Sequence, residues 1–319
     1  MPEYYGLENF NTGDDVAGVV ESVGDGITEF KPGDRVAGMH RSGTPHGSYA
    51  EYAICPVDTT FHIPDNITFE EASTIPLAAL TAGVLLFRGL ELPDLRDSDP
   101  TEKLPFLVYG GASAIGAFAI QLASHRGIHP IIAVAGRGIP FVEGLIDKTK
   151  GDTVIDYRSG DEAVTNAIRG ALNGMKLRYA LDAVRSGTSY INAARVLEPG
   201  SAGGQMSKLG LVLPLSGDAT STAGLEAGMV EQFTLPDGVK EVFLGVNQVH
   251  DPKSDRDMEF GFLFCRLLAR GLREGWLKPH PHQVQAHGLC GVEGALTKLK
   301  AGQASAQKYV VRISDTPGI

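Results

Sequence analysis

From Leu104 to Ser124 the chain runs for 21 residues without an Asp, Glu, Lys, Arg or His. That length would span a bilayer as one helix. The run also holds Pro105, the pair Gly110-Gly111, Gly116 and Gln121, which divide it. It therefore reads as a buried strand (FLVYG), a glycine turn and a buried helix (GASAIGAFAIQLASHRG). The same alternation continues downstream. HPIIAVAG, DTVIDYR and LRYALDAV are apolar strands, and FVEGLIDKTKG, DEAVTNAIRGAL and SYINAARVLEPG are the helices after them. Strands apolar on both faces, alternating with helices, predict a doubly wound parallel α/β sheet. GLVLPL at 210–215 and EVFLGVNQV at 241–249 read as its last strands.

The flanks differ in character. DDVAGVVESV, FKPGDRVAG and GSYAEYAIC, all before residue 56, read as strands joined by turns such as KPGD. A helix over 69–88, capped from Asn66 or Thr68 and interrupted by Pro76, leads into the α/β region. After it come an apolar-striped helix over 258–274, and a strand, helix and strand formed by HPHQVQAH, GVEGALTKLKAG and QKYVVRI. A length of 319 residues suits two domains. A net charge of −10 argues against nucleic acid and anionic membrane as partners. The opening MPEYYGLENF has neither the basic start nor the apolar run of a signal peptide. Cys55, Cys265 and Cys290 are far apart, with no CxxC, which fits a reducing, cytoplasmic setting.

The glycine turn carries the chemistry. In Gly110-Gly111-Ala112-Ser113-Ala114-Ile115-Gly116, small residues let backbone N–H groups approach a diphosphate at a helix N-terminus. Ser113 stands where the strict GxGxxG fingerprint has its middle glycine. After the second strand the chain reads Ala135-Gly136-Arg137-Gly138, and the next acid along the chain is Glu143. A site for NAD places a carboxylate there for the ribose 2′-hydroxyl. Without one, and with Arg137 able to pair with a 2′-phosphate, the expected cofactor is NADP(H). Tyr157, after the third strand, is a candidate for the adenine face or the 2′-phosphate. Asp182 ends the fourth strand, where either a ligand contact or a capping role is open.

GDDVAGVVESVGDGITEFKPGDRVAG, GSYAEYA, LTAG, VYGGASAIGAFAIQLA and AGQASAQKYVVRI together resemble the medium-chain dehydrogenase/reductase superfamily. They are most similar to its zinc-independent quinone-reductase and enoyl-reductase branch, which includes fungal enoyl reductases acting in trans with polyketide synthases. The resemblance implies a GroES-like β domain over 1–80, a Rossmann domain over 81–262 and a return to the first domain over 263–319. It also implies hydride transfer from NADPH to a quinone, an enone or an enoyl thioester, with an acyl chain held on a polyketide synthase among the substrates. Lys308 is placed beside the cofactor by the same resemblance. Thr81 and Phe243–Val246, with Gly245 among them, are candidates for the nicotinamide end. Thr81 and Tyr49 are weak catalytic candidates, and a monomer or homodimer is expected.

Two departures qualify that picture. Zinc-dependent relatives carry a Gly-His-Glu start to the AGVVESVG strand, whose His binds catalytic zinc; here Gly13-Asp14-Asp15 stands in its place. Zinc needs three or four N, S or O ligands, so no metal is expected, and Asp14 and Asp15 read as structural. The family also carries some fifty residues before this motif, so the chain reads as N-terminally shortened. The alternative function is therefore an NADPH-binding scaffold with impaired catalysis. His280, His282 and His287 read as surface or junction residues. Ser113 lies outside a GxSxG elbow, which excludes a hydrolase reading.

Overall fold

The computed structural model describes residues 13–96, 103–200, 206–215 and 233–319. They fall into two compact units. One comprises the chain up to Leu80 together with Val246–Ile319; the other is Thr81–Gly245.

In the first unit, β1 (Asp15–Val19), β2 (Arg35–Met39) and β3 (Thr60–His62) form an antiparallel sheet in that order. The short helix α1 (Phe69–Ala72) starts at a capping box. The Thr68 hydroxyl accepts from the Glu71 amide at 3.2 Å, and the Glu71 carboxylate accepts from the Thr68 amide at 2.8 Å. Pro76 opens α2 (Pro76–Gly83), where its missing N–H costs nothing. The helix then widens into a π turn over Val84–Gly89. By length and composition Phe69–Gly89 is apolar enough to cross a membrane, yet 67% of its apolar window is buried inside the protein.

The second unit holds the six-stranded parallel sheet. Its elements are β4 (Phe106–Tyr109), α3 (Ala114–His125), β5 (Ile131–Ala135), α4 (Ile139–Glu143), β6 (Thr153–Asp156), α5 (Asp161–Leu172), β7 (Tyr179–Asp182), α6 (Ser189–Val196), β8 (Ser207–Leu211) and β9 (Val239–Val242). The strand order is β6-β5-β4-β7-β8-β9, so the winding direction reverses between β4 and β7. Every residue of β4, β5 and β7 is buried, which is why these strands carry no polar alternation. This is the doubly wound, Rossmann-type sheet expected. Completing the first unit, α7 (Asp255–Glu274) is followed by β10 (His282–Gln285), α8 (Val292–Lys300) and β11 (Lys308–Val311), with β10 and β11 paired in parallel.

Four expectations are corrected. GSYAEYAIC is not a strand: it runs through bends, with Tyr52 67% and Ile54 60% exposed. Alternation alone cannot make a strand without a neighbour for its ladder; the segment has only isolated anchors, such as Ser48 N–H to Gly13 O at 2.8 Å. FVEGLIDKTKG is not one helix. It stops at Glu143, and Asp147 caps a separate 3-10 turn over Lys148–Lys150. The last strand ends at Val242, and Val246–His250 is a 3-10 turn belonging to the first unit. That moves the boundary from 262/263 to 245/246. Its cause is packing: His250 Nε2 donates to Thr59 Oγ1 at 2.7 Å, and a Cβ on Gly261 of α7 would meet Val249 and Thr59. Finally, of the surface and junction readings of His280, the surface one is removed: it is buried, with 3% exposure.

Burial of His250 and His280 has a consequence for acid stability. Their exposures are 6% and 3%, and burial pulls each from the ordinary 6.5 down to about 4, with Arg41 and His40 adding to the effect at His250 and Lys308 at His280. A depressed histidine pKa means that the unfolded chain takes up protons first. The contribution is therefore complete above pH 6.5 and is lost as pH falls toward 4, by up to about 3 kcal/mol per residue. Urea midpoints should fall steeply between pH 6.5 and 4.5. A double H250Q/H280Q variant should show a flatter profile over that window, and equal slopes for both proteins would contradict the assignment.

Candidate functional site

The strand order makes β4 and β7 neighbours from which the chain leaves in opposite directions, and a crevice outside the carboxyl ends of such strands is where ligands bind. The β4–α3 turn forms one wall. Gly110 sits at φ +83°, and its amide and that of Gly111 both donate to Val134 O at 2.9 Å, tying the turn to β5. A Cβ on Gly116 would stand 2.3 Å from Gly110 O, so α3 presses directly on the turn's backbone and only glycine fits. Ser113 caps α3: its hydroxyl accepts from Gly116 N–H at 3.1 Å and donates to Ala183 O at 3.4 Å. Ala112, Ser113, Ala114 and Ile115 are all partly open to solvent. The first-turn amides of α3 have no partner within the helix, so the turn presents N–H groups and the positive end of a 12-residue helix to an anion.

The ends of β5 and β6 bring Gly136, Arg137 and Tyr157 together. A Cβ on Gly136 would lie 2.5 Å from Tyr157 Cε1 and 2.9 Å from its Oη, so the ring lies against bare backbone. Tyr157 is 50% exposed and Arg137 is exposed. Asp156 pairs in register with Ala135. This is a carboxylate at the strand edge that counting along the chain to Glu143 missed. It is held by Arg158, whose Nε and Nη2 lie 2.9 and 2.5 Å from it, and those bonds pull its pKa down to about 2. Its hydrogen-bonding capacity is thus turned toward Arg158.

Asp182 is fully buried and serves the β7 loop. It accepts from Val184 N–H at 3.0 Å, Arg185 N–H at 2.8 Å and Ser189 Oγ at 2.5 Å, while burial pushes its carboxyl upward. Of the two roles left open by the sequence, the structure displays capping. Below this loop, Asp161 accepts from Thr188 Oγ1 at 2.7 Å and Asn192 Nδ2 at 2.8 Å, joining the starts of α5 and α6. Thr81 is half-buried in α2. Gly245 is partly open, with nothing within 4 Å of where its Cβ would stand.

In the first unit, Lys308 Nζ is bound to the Asp15 carboxylate and lies 3.3 Å from Thr74 O. Asp15 also accepts from Leu77 N–H at 2.7 Å. Asp15 is thus the structural residue expected, joining β1, β11 and α2. Asp14 accepts from Ser42 Oγ at 2.8 Å; burial raises its pKa, and the Asp15 charge adds to this. Burial and the same two carboxylates push the Tyr49 phenol upward. The nearby His40 ring nitrogens face Ile54 O at 2.6 Å and Thr44 O at 3.1 Å. Among the described residues no three His, Cys, Asp or Glu side chains converge as metal ligands.

Comparison with known proteins agrees with this architecture. Residues 3–65 match the alcohol dehydrogenase GroES-like domain. The sequence is 40% identical over 285 residues to the trans-enoyl reductase fsr4 of Gibberella fujikuroi, covering 89% of this chain and 78% of that protein. It is 31% identical over 319 residues to the trans-enoyl reductase resD of Aspergillus sclerotiorum, covering 94% and 85%. In fold it is similar to a quinone oxidoreductase of Pseudomonas syringae, with a TM-score of 0.66, 22% identity, and 96% and 82% of the two chains covered. It is likewise similar to CurK enoyl reductase, with a TM-score of 0.67, 18% identity, and 97% and 82% covered. Matched to fungal trans-enoyl reductases over most of both lengths, the chain belongs to the trans-enoyl reductase family of medium-chain dehydrogenases/reductases.

Proposed function

We propose that this protein is an NADPH-dependent, zinc-independent reductase of conjugated carbonyls, with an enoyl thioester carried by a polyketide synthase as its substrate class. The observation that carries the reading is the cradle at Gly110–Gly116, where a side chain on Gly116 would fill the space that α3 and the turn share. The names of the relatives, trans-enoyl reductases, support the substrate class. A quinone or a free enone is the same chemistry on a smaller acceptor.

When bound, NADPH supplies the hydride, and the protein supplies binding, orientation and electrostatics. The amides of Ala114 and Ile115 face the diphosphate, and Ala112 and Ser113 are short enough to let it approach. Gly136 and Tyr157 receive the adenosine end, and Arg137 faces the 2′-phosphate. The charge of Asp156 at that edge is offset by its pairing with Arg158, which lessens its repulsion of the phosphate. The resemblance puts Lys308 beside the cofactor, and Thr81 and Gly245 are the candidates for the nicotinamide end. The donor set at Asp14 does not fit zinc: its carboxyl is bonded to Ser42, and the neighbouring His40 nitrogens face carbonyl oxygens. The oxyanion formed on hydride transfer therefore relies on hydrogen-bond donors, and solvent protonates the product.

Three outcomes are expected. Ala112→Glu puts charge and bulk where the diphosphate belongs. NADPH titrated into the variant should give no calorimetric signal while circular dichroism shows an intact fold; wild-type binding by the folded variant removes the dinucleotide assignment. Arg137→Ala loses a charge-assisted contact worth roughly 1.5–3 kcal/mol, so NADPH should bind at least about 10-fold more weakly with NADH nearly unaffected. Equal affinity of the unmodified protein for both cofactors contradicts the preference. Elemental analysis should find less than about 0.2 zinc per chain on the ligand-count argument, whereas chelator-resistant stoichiometric zinc that tracks activity refutes a metal-free mechanism.

A further inference from the structure

The second wall of the switch-point crevice is the loop after β7, and it carries a cation that the family pattern did not single out. This loop is fastened to the glycine turn. Ala183 N–H donates to Tyr109 O at 2.9 Å, Ser113 Oγ donates to Ala183 O at 3.4 Å, and Val184 fills the space where a Gly110 Cβ would stand, 2.6 Å from its Cγ1. The next residue is Arg185. Its φ is +40°, in the left-handed region that residues with a side chain seldom adopt. Asp182 enforces that geometry by accepting the Val184 and Arg185 amides.

The side chain is as unusual as the backbone. Arg185 Nε is buried without a hydrogen-bond partner, and its guanidinium lies 5.7 Å from the centre of the Tyr190 ring. Among the described residues it forms no ion pair. The nearby carboxylate of Asp182 directs its oxygens to Val184 N–H, Arg185 N–H and Ser189 Oγ. A partly desolvated guanidinium with an unpartnered N–H is unfavourable unless an anion completes it. The backbone that carries it is strained and belongs to the loop fastened to the glycine turn, the kind of strain that gathers at ligand sites.

We propose that Arg185 is a dinucleotide-binding residue whose guanidinium contacts the diphosphate from the β7 side of the crevice, opposite the amides of α3. The inference rests on the cofactor reading given above and adds to it a charge shared by every nicotinamide dinucleotide. Arg137 faces a group that only NADPH has, whereas Arg185 faces one that NADPH and NADH share. The two arginines therefore separate by cofactor.

The test is calorimetric titration of NADPH and of NADH into the full-length protein and its R185A, R185K and R185G variants, with urea unfolding of each. R185A should weaken both cofactors by a similar factor, about 10-fold or more. R185K should recover part of the loss by restoring the charge. R185G accepts the positive φ without strain, so it should bind as weakly as R185A while its urea midpoint is no lower than that of the unmodified protein. It thereby guards against a variant that fails only by misfolding. Affinities of folded R185A and R185G within twofold of the unmodified protein overturn the proposal. A loss confined to NADPH also overturns it, by moving Arg185 to the 2′-phosphate. If the unmodified protein binds neither dinucleotide, the cofactor reading fails and takes this inference with it.

Discussion

The closeness of α3 to the β4 turn sets the geometry of the nucleotide unit. With Gly116 packed against the carbonyl of Gly110, the helix axis meets the strand end with no side chain between them. That contact fixes three things together. It lets Ser113 cap the helix and reach Ala183, it lets Val184 seat against Gly110, and it leaves the first-turn amides of α3 facing the crevice. A methyl group at position 116 would push the helix away and loosen all of them. The buried apolar faces of β4, β5 and β7 supply the bulk of the cohesion. The glycine contact is what brings the N-terminus of α3 directly onto the end of β4.

The first unit has a different organising contact. Asp15 begins β1, and its carboxylate meets Lys308 of β11 and the Leu77 amide of α2. Three segments distant in sequence thus converge on one side chain. In a unit whose strands are short and half-exposed, such an ion pair ties together segments that share no sheet. The Arg266–Glu29 pair, with the guanidinium stacked on Phe262, does the same for α7.

Much of this was legible in the sequence where one physical rule acted alone. Fully apolar strands alternating with helices gave the parallel sheet, the Gly110–Gly116 spacing gave the tight turn ahead of α3, and Asn66 or Thr68 before two acids gave a helix start that the structure resolves to Thr68. Legibility failed where partners decide the outcome. GSYAEYAIC alternates like a strand but has no ladder to join, and 241–249 reads as one strand but from Val246 onward is drawn into the first unit by Val249 and His250. The candidate site divides along the same line. Arg137 and Gly136 could be placed by counting from strand ends. Asp156 stands beside Ala135 across strands rather than along the chain, and is held there by Arg158 two residues on. The strain at Arg185 depends on a backbone angle that no residue pattern signals, since arginine is a poor marker of a left-handed turn.

The stacking of Tyr157 on Gly136 limits how this lineage can change. The space that a side chain at 136 would need is occupied by the phenol ring, down to its hydroxyl. Any side chain introduced there would first have to evict the aromatic from the backbone it covers. Replacing Gly136 therefore needs a second, smaller residue at 157 to make room. The two positions can change only together, a steric coupling that reaches across the ends of β5 and β6.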